Sequence, residues 1–228
     1  AVVILSSCYA NYAQSYSDFT VGESSISESI TELSVEWISG SVTLTYADTD
    51  SISFKETASK PIPETHELCY KRNGYKLTVA FSKSSHITDE LKKDLTITIP
   101  AGTSLSSLSI ETVSADIYVS DISVSEDLSL KTVSGKTRAS VKGQLEKMSL
   151  DTISGNAGLV TETVRELNAK TVSGDVVISS LVTPETTSFD SMSGYLEFGL
   201  PDDADLTLNL STISGKLTSD FATASSEN

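Results

Sequence analysis

Apolar and polar positions alternate in short runs along the second half of this chain, and the runs return about every twenty residues. One set pairs Leu108 with Ile110, Leu128 with Leu130, Met148 with Leu150, Leu167 with Ala169, and Leu208 with Leu210. A second set pairs Ile117 with Val119, Val176 with Ile178, and Leu196 with Phe198. Alternation with a period of two predicts strands that bury one face. Between the two sets stands Thr-Val/Ile-Ser-Gly, at 132–135, 152–155, 171–174 and 212–215, with weaker copies at 112–115, 191–194 and 37–40. Each unit therefore reads strand, Ser-Gly corner, strand, turn.

The corners at Ala115, Gly135, Gly155, Gly174, Gly194 and Gly215 stand 20, 20, 19, 20 and 21 residues apart. A fixed period of this size marks a repeat architecture, because one such unit cannot bury its apolar face alone and stacked copies can. Coiling would pair like strands in parallel at about 4.8 Å per coil, giving a rod on the order of 30 Å long. Glycine suits a corner that needs φ > 0 or leaves no room for Cβ. The serines before it (Ser114, Ser134, Ser154, Ser173, Ser193 and Ser214) would form a ladder bonding corner backbone. Glu111, Lys131, Asp151, Lys170 and Asp190 hold equivalent places in successive units, so an in-register stack sets alternating charges one above another.

The first hundred residues are less regular. A unit of the same kind opens the domain around Ser39 and Gly40, with Ile52 and Phe54 beyond it. Pro61 and Pro63 mark a loop, and Asn73-Gly74 between strand-like runs is a hairpin signal. A strand at 95–100 stops at Pro100 as the 196–200 run stops before Pro201, so 95–115 and 196–215 look like equivalent coils. Residues 84–93 fit a short helix or a polar loop. The organisation expected is a tail or anchor remnant at 1–20, one domain at 21–220, and a tail at 221–228. The domain has an irregular, hairpin-containing part at 21–104 and regular coils at 105–220.

Composition narrows the partners. The 228 residues carry 16 Lys and Arg against 31 Asp and Glu, a net charge of −15. Such a surface repels phosphate backbones, so nucleic acid is not expected as a partner, and anionic lipid headgroups are disfavoured alike. Acidity also favours solubility, and no tight calcium loop of alternating aspartates accompanies it. Cys8, Cys69, His66 and His86 have no metal-ligand spacing. A Cys8–Cys69 disulfide is one possibility, though free thiols fit a chain without a disulfide framework better. Residues 1–5 are apolar and too short to span a bilayer, so they read as the tail of a signal or anchor segment. Residues 5–8 also fit a lipoprotein cleavage pattern with Cys8 as the lipid site. The bulk of the chain is then expected outside the cytoplasm, at the cell surface or secreted.

Taken together, the Ser-Gly repeats, the opening at 37–42, the Ile99-Pro100 strand end and the first coil at 114–116 resemble a bacterial family. Its members are β-strand-repeat proteins labelled "putative adhesins", with a domain of unknown function. The resemblance covers roughly residues 20–220 and implies a single-stranded, right-handed parallel β-helix, a β-solenoid, often behind an N-terminal membrane anchor. It brings no binding residues with it. Ala115 departs from the family's glycine.

Candidate chemistry is sparse. β-Helices host glycan lyases and hydrolases, which need a base with cation-stabilised carboxylates or a pair of acids. Arg72, Arg138 and Arg165 are scattered. Asp116, Lys136, Asn156, Asp175, Tyr195 and Lys216 follow the corners and would form a polar stripe, read as a solvated row. No G-x-S-x-G elbow accompanies the serines. The threonine ladder shares the apolar phase of its strand, which argues against an exposed ice-binding face. Trp37 suits a cap over the core's end, or a platform for carbohydrate stacking. Tyr9, Tyr12 and Tyr16 read as membrane-interface residues or a tail. The expectation is an all-β solenoid without catalytic, cofactor-binding or metal-ligating residues and without a cofactor. It would be a non-enzymatic surface adhesin or a binding or structural module with a protein or glycan partner. A glycan-active enzyme and a membrane-tethered sensor or scaffold are the alternatives, and any function should lie where the repeat fails, at Ala115, Tyr195 or the irregular first hundred residues.

Overall fold

In a computed structural model of the chain, residues 16–84, 91–205 and 207–213 are described. Cys8, Tyr9, Tyr12, His86, Ser214, Gly215 and Lys216, with residues 1–15 of the expected 1–20 tail and the expected tail at 221–228, lie outside them. The strands are β1 Thr20–Val21, β2 Ser24–Ile26, β3 Glu32–Trp37, β4 Gly40–Ala47, β5 Ile52–Ala58, β6 Cys69–Asn73, β7 Lys76–Ala80 and β8 Lys93–Pro100. They continue with β9 Ser104–Thr112, β10 Asp116–Thr132, β11 Thr137–Thr152, β12 Ala157–Thr171, β13 Val176–Ser180, β14 Thr186–Ser191, β15 Leu196–Gly199 and β16 Thr207–Thr212. One 3-10 turn, Glu64–His66, is the sole helical element among the described residues. The fold is all-β, and these strands make one open sheet.

The alternating pattern becomes two walls that meet at the Ser-Gly corners. Before the corner, β7, β3, β9, the far ends of β10, β11 and β12, then β14 and β16 pair in parallel. After it, β8, β4, the near ends of β10, β11 and β12, then β13 and β15 do the same. Register follows the sequence period: Ile117 pairs Thr137, Thr137 pairs Ala157, Ala157 pairs Val176, and Val176 pairs Leu196. Leu130, Leu150, Ala169 and Phe189 from one wall and Ile117, Ala157, Leu159 and Ile178 from the other join one buried core. Leu208 and Leu210 keep the core phase but are exposed, because no described strand lies over β16.

The irregular part is threaded through the stack rather than placed beneath it. Strand β4 lies between β8 and β10, although β8 follows it by more than forty residues. The hairpin signal is realised by β6 and β7, with the turn at Gly74 and Tyr75, one residue later than the Asn-Gly pair, and Gly74 at φ 62°. Strand β5 runs antiparallel on β8 and β2 on β5, closing that wall. Residues 85–90 lie outside the described residues; of the helix-or-loop expectation for 84–93, residues 84, 91 and 92 have no regular structure, and Lys93 departs from it by beginning β8.

Candidate functional site

The corner is built from inside outwards. Thr152 is buried, and its Oγ1 accepts the Gly155 N–H at 3.0 Å and donates to the Gly155 carbonyl at 2.9 Å. Thr171 does the same for Gly174, and Ser191 replaces threonine in closing Gly194. The threonine therefore closes its own corner, a role the strand pattern does not reveal. The preceding serine links corners: Ser114 Oγ donates to the Ile38 carbonyl at 3.1 Å, and Ser193 Oγ to the Val172 carbonyl at 3.2 Å.

The repeat glycines are required by space and not by φ. A Cβ on Gly155 would stand 2.0 Å from the Gly135 carbonyl oxygen, and Gly135, Gly174 and Gly194 are equally tight against the rung below. None of these four has a positive φ; Gly40, at +99°, does. Gly40 pairs with Lys93, whose carbonyl would lie 2.1 Å from its Cβ and accepts the Trp37 indole N–H at 2.7 Å. Trp37 holds the threonine position of the first unit, aligned with Thr112, and is buried. Burial makes it part of the core and removes the exposed face that carbohydrate stacking needs.

Beneath Trp37 sits a buried ion pair. Lys93 Nζ donates to the carbonyls of His66 at 2.6 Å and Phe81 at 2.5 Å, and lies 2.6 Å from Glu56 Oε2. The last contact is ionic and poorly aligned for a hydrogen bond. The ammonium also faces the rings of Phe81, at 4.1 Å, and Trp37, at 5.0 Å. Burial pushes the Lys93 pKa down from its ordinary value, with Glu56 opposing. Close by, Cys69 is a free, buried thiol whose pKa burial pushes up to about 12. Tyr16, for which the sequence suggests an interfacial or tail residue, instead packs on Cys69 and Ala80 and donates its hydroxyl to Glu36. Burial and then that carboxylate raise the Tyr16 pKa.

The post-corner stripe is also structural. Asp116 Oδ1 accepts the Lys136 N–H at 2.8 Å, Asn156 Oδ1 the Asp175 N–H at 3.1 Å, and Asp175 Oδ1 the Tyr195 N–H at 3.1 Å. Each side chain binds the backbone of the next rung. The arginines stay apart: Arg72 pairs Glu28, and Arg165 bridges Glu146 and Glu185. His66 lies in the 3-10 turn against Thr65. Among the described residues no group of three or more His, Cys, Asp or Glu could hold a metal ion, and no helix is long and apolar enough to cross a membrane. Ala115 is buried under the Gly135 corner, whereas Tyr195 is exposed at the far end of the stripe.

What remains on the surface is a groove of about 530 Å3 running across the rungs. Glu111, Lys131, Asp151, Lys170 and Asp190 line it as successive register partners, the in-register charge column expected from spacing. Glu36 extends the column below Glu111 with the same sign, which ends the alternation there. Val133, Ile153, Val172, Met192 and Ile213 also line the groove. Strand alternation sends each charged residue and each apolar one outward on either side of a buried threonine. Lys170 and Asp190 approach to 3.6 Å. Carboxylates on alternate rungs are about 9.6 Å apart, with a lysine between them. The groove was missed from sequence because its apolar side consists of corner residues that a one-dimensional pattern assigns to the turn.

The chain matches the family model described as Toastrack DUF4097 over residues 30–156 and again over 128–228. It is similar to a solved structure described as a "putative cell adhesion protein" from Clostridium sporogenes ATCC 15579. The two are 11% identical, over 85% of this chain and 100% of the other, with a TM-score of 0.36. A "putative adhesin" from Parabacteroides merdae ATCC 43184 is 12% identical over 86% of this chain and 93% of its own, also with a TM-score of 0.36. None of the curated proteins matches this chain.

Proposed function

This chain belongs to the Toastrack DUF4097 family, and from that premise we propose that it is a non-enzymatic β-solenoid acting outside the cytoplasm as a binding or structural module. Its coils wind as a right-handed parallel β-helix, and its partner is a protein or glycan met at a surface, the adhesin form of the role. The observation that carries this reading is the charge column in the groove. Paired acids of a retaining glycosidase stand about 5–5.5 Å apart across a sugar ring, and those of an inverting one about 6.5–9.5 Å apart with open space for a water between them. Here Glu111, Asp151 and Asp190 occupy alternate rungs, and Lys131 and Lys170 fill the places between. Such a column suits extended contact better than bond cleavage.

Two assays, one on intact cells and one on the purified chain, test this. Brief protease treatment of intact source cells should release peptides from residues 20–213, and the purified chain should leave a panel of acidic and neutral oligosaccharides uncut. Peptides released only after lysis would overturn the location, and turnover lost on Asp151→Asn would overturn the non-enzymatic role.

A further inference from the structure

The groove has a repeat length, and that length selects what fits along it. Like charges recur every second rung, at about 9.6 Å. A polyproline II helix rises 3.1 Å per residue with three residues per turn, so one face recurs about every 9.3 Å. From Glu111 to Asp190 the column spans four rungs, about 19 Å, over which the two repeats drift apart by only about 0.6 Å. A β-strand repeats a face every 6.6–6.8 Å, about a third short per step. An α-helix returns to one face after about 10.5 Å, drifting nearly three times as fast.

We propose that this groove binds an extended protein segment in polyproline II conformation with a basic residue at every third position. Within the binding role put forward above, this names the partner's chemistry. The basic side chains meet Glu111, Asp151 and Asp190 in turn. Their aliphatic stems lie along the row of Val133, Ile153 and Val172. Lys131 and Lys170 face the segment's carbonyls, which a polyproline II helix leaves without internal hydrogen bonds. Charge complementarity favours such an occupant, because the molecule is acidic overall and the groove carries three carboxylates, Glu111, Asp151 and Asp190, against two lysines, Lys131 and Lys170. The internal Lys170–Asp190 contact is exposed, with side chains 61% and 48% accessible, so an incoming cation displaces it at little cost.

Fluorescence anisotropy at low salt tests this with three labelled nine-residue peptides on the wild-type chain. They are three repeats of Pro-Pro-Lys, a peptide of the same composition with its lysines consecutive, and three repeats of Pro-Pro-Glu. The spaced peptide should bind at least about threefold tighter than the consecutive one, and the acidic peptide not at all. Asp151→Asn should weaken the spaced peptide by about threefold or more. Equal affinity for the two lysine arrangements would reduce the effect to non-specific attraction and overturn the proposal. A chitosan hexamer binding more tightly than the spaced peptide would give the groove to a cationic glycan and overturn it equally. Failure here leaves the protease and turnover results untouched, so the two readings fall separately.

Discussion

At the residue scale the repeat separates into positions with different physical duties. Thr152 and Thr137 are both buried threonines, yet one hydroxyl holds a corner and the other has no hydrogen-bond partner. Thr152→Val leaves the Gly155 N–H unsatisfied and should cost about 1–3 kcal/mol in urea unfolding. Thr137→Val removes an unpaired buried hydroxyl at constant shape and should be neutral or stabilising by about 1 kcal/mol. The glycines divide in the same way. Gly155→Ala drives a methyl into the Gly135 carbonyl and should cost about 1–3 kcal/mol or more. Gly158 has open space at its Cβ and ordinary φ, so Gly158→Ala should raise stability by about 0.4–1 kcal/mol. Matched melting curves for the two alanine variants check this. Sequence alone offered two reasons for the corner glycine, and the deciding atom belongs to a residue twenty positions earlier.

At the element scale the regular coils were legible because one local pattern, repeated at constant offset, specifies both strand phase and register. The same offsets placed Lys131 over Glu111 and under Asp151. The threading of β4 between β8 and β10 was not legible, since it is long-range pairing that no periodicity announces. Nor was the Lys93–Glu56 pair, because Lys93 opens a strand whose sequence reads as polar there. That pair joins β8 to β5 beneath the first corner, with Lys93 fully buried. Lys93→Met strands the Glu56 carboxylate and should cost about 3–5 kcal/mol. Adding Glu56→Leu removes the stranded charge but leaves the buried Leu68 N–H, which Glu56 Oε1 accepts at 2.8 Å, without its partner. It should therefore recover only part of the loss, and denaturant midpoints of the single and double variants read the coupling directly.

At the scale of the whole molecule, each rung supplies the next with a carbonyl wall, a serine bond and a side-chain cap, so the stack is its own scaffold. The threonine, serine and glycine of the conspicuous motif are thereby used up in folding, while its second residue (Val133, Ile153, Val172) faces the groove. The surface left for a partner is the charged groove beside it, together with Tyr195 at the end of the stripe. Ala115, where the motif fails, is buried and serves the core. All of this depends on parallel, in-register stacking of units about twenty residues long. Spin labels at positions 111 and 190, with Cys8 and Cys69 replaced, measure that by double electron–electron resonance. Four stacked rungs predict a narrow distribution centred near about 19 Å; a distribution centred beyond about 30 Å, or one without a dominant peak, would contradict the stacked arrangement.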